Sequence, residues 1–265
     1  MKNKFVIHDV GAANFIPRHL LHEDMAFYHF EPDPRGIMGL EEFYKSSEFS
    51  PVASFVRAHA LGSKKSRMEL NLNQKNTASS FKSVKAGSTQ VTVQVEVAEE
   101  LIASEIVEVP NLVKIDVEGF EGEVLAGYDL SRPEICCVEV EVTLDQLELG
   151  NIINLLTEAG FDLAKIVQHG SQHDVPPTKL QKRVQRTLAA WGWLLATDGN
   201  ALNGMASLSS SLVQLELVFT RFNTELPFVA RKIKDIYGLC YRDRSGRLYA
   251  GERRIGLLPS WRFWR

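Results

Sequence analysis

The chain has 265 residues, of which 45% are hydrophobic and 24% are charged, a composition that supports one sizeable core and therefore one domain with elaborations. No apolar run is long enough to span a membrane, and the first one is interrupted by Asp9 before it reaches the length of a signal-peptide core. The three cysteines give no disulfide framework, so we expect a reducing, cytoplasmic compartment.

The chain starts with an apolar strand followed by a glycine. Residues 4–10 read as this strand, with Asp9 as its last polar residue and Gly11 directly after it. We expect a helix over residues 16–22. Strand, glycine loop and helix together are the first half of a βαβ unit, which is the unit that binds nucleotides in many α/β proteins.

A second strand, predicted over residues 26–30, ends in an acidic side chain. Glu31 lies twenty residues after Gly11, and a helical pattern follows it through Tyr44. Nucleotide-binding βαβ units place an acidic residue at this distance, where it accepts hydrogen bonds from ribose hydroxyls. The sequence therefore predicts a ribose-containing ligand beside Glu31.

The loop after Gly11 limits which ligand this is. It continues with Ala12, Ala13 and Asn14, so it lacks the second glycine that lets a backbone approach a pyrophosphate. This argues against NAD and FAD. S-adenosylmethionine has a ribose but no phosphate, and Asp9 suits its cationic methionine end. A plain junction between strand and loop would explain Asp9 and Gly11 equally well.

Residues 51–61 fit a third strand, and its end is small and apolar. Ala60 and Leu61 are suited to form a wall for an adenine ring. Residues 62–97 alternate between polar and apolar side chains, which predicts an antiparallel excursion. Within it, residues 73–83 form a polar loop, whose serines we expect to be solvated turn residues.

The stretch over residues 111–127, NLVKIDVEGFEGEVLAG, organises the chain. A buried strand over 112–117 runs into a helix that begins near Phe120. Three ionisable side chains lie at the junction between the strand and the helix: Lys114, Asp116 and Glu118. Ligands of open α/β sheets bind at the carboxyl ends of strands, so these side chains are candidates for chemistry. The alternative is that the two acids merely cap the helix.

The remaining elements complete an α/β fold. A strand over residues 135–142 is followed by an amphipathic helix over 144–160 and a strand over 161–169, and residues 211–221 alternate like a final strand. The alternation of strands and helices predicts a mostly parallel, doubly wound sheet.

Two segments stand outside this pattern. Residues 170–210 form an insertion that is either a lid over a site or a cover for the sheet edge. Residues 223–265 carry ten Lys or Arg against four Asp or Glu, a net charge of +6. Because the whole chain has a net charge of −3, residues 1–222 have a net charge of −9. We therefore divide the chain into a domain over 1–222 and a basic, aromatic C-terminal extension over 223–265, a docking element for the acidic body or an acidic partner rather than for nucleic acid.

Several of these segments resemble the FkbM family of S-adenosylmethionine-dependent methyltransferases. They occur in the family's order within residues 5–170: HDVGAAN (8–14), FEPDP (30–34), the strand end at 60–61, the loop 76–81, VKIDVEGFEGEVLAG (113–127) and CVEVEV (137–142). KIDVEG followed by E-x-x-VL is the most specific of these motifs. The resemblance implies a Rossmann-like class I methyltransferase fold with an antiparallel last strand.

The resemblance also implies roles for individual residues. Asp9, Gly11 and Asn14 would surround the methionine part of the cofactor, while Glu31 would hold the ribose. Three residues would lie beside the acceptor: Lys114, Asp116 and Glu118. Asp116 is the best candidate to orient or deprotonate the acceptor hydroxyl.

A metal ion is a separate question that the sequence leaves open. Asp116, Glu139 and Glu141 come from the ends of neighbouring predicted strands and are candidates to share Mg²⁺. The leading functional hypothesis is an O-methyltransferase that acts on a hydroxyl of a sugar, glycan or natural-product scaffold. The alternative is a catalytically silent protein of this fold that binds a glycan or protein partner.

Overall fold

The computed structural model describes residues 4–14, 16–72, 79–81, 89–143, 146–169, 214–221, 225–242, 248–250 and 253–254. The predicted insertion over 170–210 and most of the predicted loop over 73–83 lie outside these residues, as does most of the chain beyond residue 242. None of the helices in the described ranges is long and apolar enough to cross a membrane.

The described chain alternates strands and helices. In chain order the elements are β1 (Phe5–Val10), a 3-10 helix (Arg18–Leu20), β2 (Met25–Phe30), α1 (Pro34–Ser46), β3 (Ala53–Arg57), β4 (Ala60–Leu61), β5 (Ser66–Leu72), β6 (Thr89–Glu96), α2 (Ala98–Ala103), β7 (Leu112–Ile115), α3 (Glu121–Leu125), β8 (Cys137–Thr143), α4 (Gln146–Glu158), β9 (Asp162–His169), β10 (Gln214–Thr220), α5 (Pro227–Tyr237), β11 (Cys240–Arg242), β12 (Leu248–Ala250) and β13 (Arg253–Arg254).

Seven strands form the central sheet, in the order β3-β2-β1-β7-β8-β10-β9. Strands β3, β2, β1, β7 and β8 pair in parallel, whereas β10 pairs antiparallel with both β8 and β9. The order reverses at β1, so that connections leave β1 toward both edges of the sheet. The predicted fold is confirmed: the sheet is mostly parallel and its last strand is antiparallel.

The predicted third strand is wrong as a single element. Residues 53–57 join the edge of the central sheet as β3, whereas Ala60 and Leu61 form β4 and pair in parallel with β6 in a separate three-stranded sheet. The two residues between β3 and β4 redirect the chain from one sheet to the other. The predicted antiparallel excursion is confirmed, since β5 and β6 pair along their lengths.

The helix expected over residues 16–22 is reduced to one 3-10 turn over Arg18–Leu20. The Leu20 N–H donates to the Pro17 carbonyl at 2.9 Å, which closes a tighter turn than an α-helix does. Pro17 disfavours the helical conformation for Ile16 before it. Because the side chains of Ile16 and Leu20 are both buried in the core, the segment follows the sheet instead of extending a helix.

Apolar clusters cover both faces of the sheet. Along β1, Val6 and Val10 belong to one cluster while Phe5 and Ile7 belong to the other, as the two-residue period of a strand requires. Helices α2, α3 and α4 contribute to the first cluster, and the turn before β2 contributes to the second. Helix α2 has no counterpart among the predicted elements, because six residues are too few to display a helical period.

Helix α5 completes the second cluster, although it lies within the predicted C-terminal extension. Its side chains Val229, Ile233, Ile236 and Tyr237 are buried there, and Gly238 ends the helix in a left-handed conformation. The apolar face of α5 is thus part of the core of the domain. The predicted boundary after residue 222 thus has core residues on both sides, and a docking role stays a proposal for the chain that follows α5.

The burial of α5 predicts that its apolar face stabilises the whole domain. Ile233→Ala removes a fully buried side chain, so we expect the free energy of unfolding to fall by about 2–5 kcal/mol. Arg231→Ala on the exposed side of the same helix is the matched control and should cost less than about 0.5 kcal/mol. Denaturant unfolding of both variants measures the difference, and equal stability would place α5 outside the core.

Candidate functional site

An open cleft lies at the carboxyl ends of β1, β2 and β7, where the sheet order reverses. It has about 590 Å³ of atom-free space, part of it open to solvent. Its walls include Gly11, Glu31, Leu61, Asp116, Glu118 and Phe120. This is the position at which open α/β sheets bind ligands. Of the nine predicted site residues, six line the cleft: Gly11, Glu31, Ala60, Leu61, Asp116 and Glu118.

The carboxylate of Glu31 is fixed at the edge of this cleft. One oxygen accepts the backbone N–H of Ala13 at 2.6 Å and the other accepts that of Asp33 at 2.7 Å. Burial raises the pKa of Glu31 to about 7, an effect that the two N–H groups oppose and the negative charges of Asp33 and Asp9 reinforce. The side chain therefore has a set orientation and titrates near neutral pH.

The loop after β1 comes unusually close to the rest of the site. Gly11 has a φ of 76°, and a Cβ atom there would lie 1.9 Å from the carbonyl oxygen of Asp116. Ala13 also has a positive φ, at 49°. Gly11 is needed for its backbone conformation and for the close contact between the end of β1 and the chain that follows β7.

Two glycines of α1 make room for this loop. A Cβ atom at Gly36 would lie 2.7 Å from the Ala13 carbonyl oxygen, and one at Gly39 would lie 2.3 Å from Cβ of Asn14. The loop residues Ala13 and Asn14 thus pack where the helix has no side chains. The sequence analysis missed these positions, and the spacing G-x-x-G on one face of α1 is the signal that points to them.

Residues 79–81 bridge the cleft from one side to the other. Ser79 Oγ donates to Asp33 at 2.8 Å, and Ser80 Oγ donates to the Glu118 carbonyl oxygen at 2.8 Å. Arg35 also binds Asp33, and together with Ser79 it outweighs the effect of burial, so the pKa of Asp33 is lowered. The serines expected to be solvated turn residues instead tie the end of β2 to the end of β7.

An apolar wall faces Glu31 across the cleft. Ala60 and Leu61 are buried at 5% and 1% exposure, and the rings of Phe81 and Phe120 pack against each other with centroids 5.0 Å apart. Such a surface suits the flat face of an aromatic ligand. The prediction that Ala60 and Leu61 contact an adenine stays a prediction.

Asp116 and Glu118 line the cleft, whereas Lys114 lies beneath it. The Asp116 side chain is 33% exposed, and its backbone N–H donates to the Val10 carbonyl oxygen at 3.0 Å. Glu118 adopts a positive φ of 53°. Lys114 is buried at 8% exposure and its ammonium pairs with Asp9 and Asp116, so it does not line the cleft. Its predicted position beside an acceptor stays a prediction.

Asp9 and Asn14 are the other predicted site residues that do not line the cleft. Asp9 is fully buried and accepts a hydrogen bond from His29 Nδ1 at 2.9 Å. Burial alone would raise the pKa of Asp9, but Lys114 and His29 lower it below its ordinary value. Asn14 is exposed and packs near Gly39 of α1. A position in the sequence motif did not distinguish a side chain in the cleft from one behind it.

The proposed magnesium ligands do not converge. Glu139 is buried at 2% exposure and accepts hydrogen bonds from His19 Nε2 at 3.0 Å and from the hydroxyl of Tyr237. Among the described residues, Glu139 clusters with His19 and Glu216 rather than with Asp116 and Glu141. Its partners come from the face of the sheet that α5 covers, away from the cleft. The structure gives no support for a Mg²⁺ site formed by Asp116, Glu139 and Glu141.

The sheet order, the antiparallel last strand and the cleft at the carboxyl ends of β1, β2 and β7 define a Rossmann-like methyltransferase fold. The chain belongs to the FkbM methyltransferases, since the methyltransferase FkbM domain matches residues 9–163, more than half of its length. Members of such a family use S-adenosylmethionine as the methyl donor.

A solved structure is similar over most of both chains. It is a precorrin-6y C5,15-methyltransferase from Geobacter metallireducens GS-15, with 9% sequence identity, a TM-score of 0.39, and coverage of 83% of this chain and 82% of that chain. No match was found among curated proteins.

The close contact at Gly11 yields a prediction with a matched control. Gly11→Ala should lower the free energy of unfolding by more than about 2 kcal/mol, because strain at positive φ adds to a clash with the Asp116 carbonyl. Gly238→Ala has a similar φ of 62° with no atom within 4 Å, so it should cost only about 1–2 kcal/mol. Thermal unfolding compares the two variants. An equal loss of stability in both would mean that the loop moves away from the Asp116 carbonyl at no energetic cost.

Proposed function

We propose that the protein is an S-adenosylmethionine-dependent O-methyltransferase that acts on a hydroxyl of a sugar, glycan or natural-product scaffold. The observation that carries this proposal is the Glu31 carboxylate, which two backbone N–H groups hold at the carboxyl end of β2 and at the edge of the cleft. Each carboxylate oxygen has a further lone pair, so an ionised Glu31 can accept hydrogen bonds from both hydroxyls of a ribose.

The lining of the cleft fits the other parts of this cofactor. Ala60, Leu61 and Phe120 would contact the adenine, and the loop at Gly11 would border the methionine portion. When bound, S-adenosylmethionine would supply a methyl group on a sulfonium: a new C–O bond to the acceptor would form as the C–S bond breaks, which would release S-adenosylhomocysteine and the hydroxyl proton. The protein must therefore align donor and acceptor, exclude water and take up one proton.

Asp116 is the candidate for the proton. Its carboxylate lies in the wall of the cleft and is one-third exposed, while Lys114 approaches it from below at 3.6 Å. The side chain is thus free on one side to bind an acceptor hydroxyl, which it would orient or deprotonate. Glu118, two residues later, lines the same part of the cleft and would contact the acceptor.

The pKa of Glu31 predicts how cofactor binding depends on pH. If the ionised carboxylate accepts the ribose hydroxyls, protonation weakens binding, so affinity should fall as the pH drops below about 7 and level off above it. At the steepest, the loss approaches roughly tenfold per pH unit. Calorimetry with S-adenosylhomocysteine from pH 5.5 to 8.5 measures this curve.

Glu31→Gln is the matched variant for that curve. It should bind more weakly at pH 8, by about 1.5–3 kcal/mol, and lose the acid-side dependence because the amide does not titrate. If the wild-type chain binds no S-adenosylhomocysteine at millimolar concentration, the catalytically silent alternative gains. A curve that is the same for both proteins would locate the ribose elsewhere.

Asp116→Asn tests the acceptor side of the site. The substitution keeps the shape and removes the base, so methyl transfer should fall by about 10²- to 10⁴-fold while affinity for S-adenosylhomocysteine stays nearly unchanged. Transfer of labelled methyl from S-adenosylmethionine to a panel of glycosides and sugar nucleotides identifies the acceptor and gives the rate. A lower melting temperature with normal turnover would assign Asp116 a structural role instead.

A further inference from the structure

Four ionisable side chains form a row across the middle of the sheet. The strand register aligns His29 on β2 with Asp9 on β1, Asp9 with Lys114 on β7, and Lys114 with Glu139 on β8. All four side chains are buried, with exposures between 0% and 8%. Buried charge is costly unless it is paired, so a row of this kind in place of apolar residues calls for a function.

Three members of the row, His29, Asp9 and Lys114, are paired with one another. His29 Nδ1 donates to one oxygen of Asp9 at 2.9 Å, and the Lys114 ammonium lies 3.3 Å from the other. Burial would lower the pKa of Lys114, but attraction to Asp9, and then to Asp116 and Glu139, raises it above its ordinary value. Lys114 is therefore a permanent cation, and Asp9, whose pKa is lowered, is its permanent counter-ion.

Three members of the row lie one residue before the strand ends that border the cleft. Side chains two residues apart on a strand point to the same face. Asp9 precedes Gly11 by two residues, His29 precedes Glu31 by two, and Lys114 precedes Asp116 by two. Of these three, Lys114 contacts its own cleft residue, with its ammonium 3.6 Å from the Asp116 carboxylate.

We propose that Lys114 is a positioning residue for the cofactor half of the site: its ammonium offsets the buried charge of Asp9, so that the carboxylate of Glu31 stays in the state that binds the ribose. This inference rests on the proposed function. It differs from the family resemblance, which would put Lys114 beside the acceptor and Asp9 against the cofactor.

The ion pair acts on Glu31 through charge. Ionisable groups come from each element next to Glu31. Its own segment carries His29 and Asp33, α1 carries Arg35, and β1 carries Asp9. Lys114 lies on β7, and Asp116 and Glu118 lie in the chain after β7. The negative charge of Asp9 disfavours ionisation of Glu31, and the ammonium of Lys114, 3.3 Å from Asp9, would offset that charge. We call the part of the binding curve below about pH 7, where affinity falls, the acid limb. Removing Asp9 and removing Lys114 should thus displace the acid limb in opposite directions.

The experiment is calorimetry with S-adenosylhomocysteine against pH on the full chain. For Asp9→Asn we expect the acid limb to move to lower pH by about half a unit to one unit, and for Lys114→Met to higher pH by a similar amount. The double variant should return close to the wild-type curve. Lys4→Met removes a cation at the far end of β1, where Lys4 pairs with exposed Glu108, and should leave the limb in place.

A merely structural role would lower the stability of these variants without moving the limb in opposite directions, and that result would overturn the proposal. If Lys114→Met does not fold, the other two variants decide. The proposal is contradicted if the acid limb does not move in Asp9→Asn, or if it does not return toward its wild-type position in the double variant. Binding by the wild-type chain tests the proposed function separately. Should that binding be absent, the titration of Glu31 in the free protein, followed through its ¹³C carboxyl signal and assigned with Glu31→Gln, must show the same opposite displacements.

Discussion

The site depends on the continuation of sheet hydrogen bonds past the ends of the strands. The Gly11 N–H donates to the Phe30 carbonyl at 2.9 Å and the Asp116 N–H donates to the Val10 carbonyl at 3.0 Å. These bonds join β1 to β2 on one side and to β7 on the other, one step beyond the regular ladders. The backbone under the cleft is therefore as well defined as the sheet, and Glu31 and Asp116 take their positions from it.

The hydrogen-bonded segment at residues 79–81 adds a second constraint on the same geometry. It connects Asp33, after β2, with Glu118, after β7. The segments that follow β2 and β7, which carry Glu31 and Asp116, are thus joined across the cleft. A cleft that is bordered in this way binds a flexible ligand with less ordering of its own side chains, which favours affinity.

Much of this fold could be predicted from the sequence because its strands carry strong patterns. Two-residue alternation and the strand-to-helix change at residues 112–125 predicted the sheet. The spacing between Gly11 and Glu31 predicted two residues that line the cleft. That Lys114 is buried beside Asp9 rather than lining the cleft could not be predicted, because the motif gives the position of a residue along the strand but not which side chains it pairs with.

Contacts between distant segments could not be predicted from the sequence, for a different reason. The role of Ser79 and Ser80 depends on where the loop lands, and no local pattern encodes that position. Helix α5 was assigned to a basic extension because composition was averaged over 43 residues, whereas its four buried side chains repeat with a helical period inside a charged sequence.

The glycines of α1 have a consequence for the loop after β1. Space beside the loop after β1 is provided here by Gly36 and Gly39 of the facing helix, so the loop itself accommodates Ala13 and Asn14. Loop and helix share one volume in this chain, so a side chain added at Gly36 or Gly39 would require the loop to move away from α1. The position of the loop beside Glu31 therefore depends on two helix positions more than twenty residues later in the sequence.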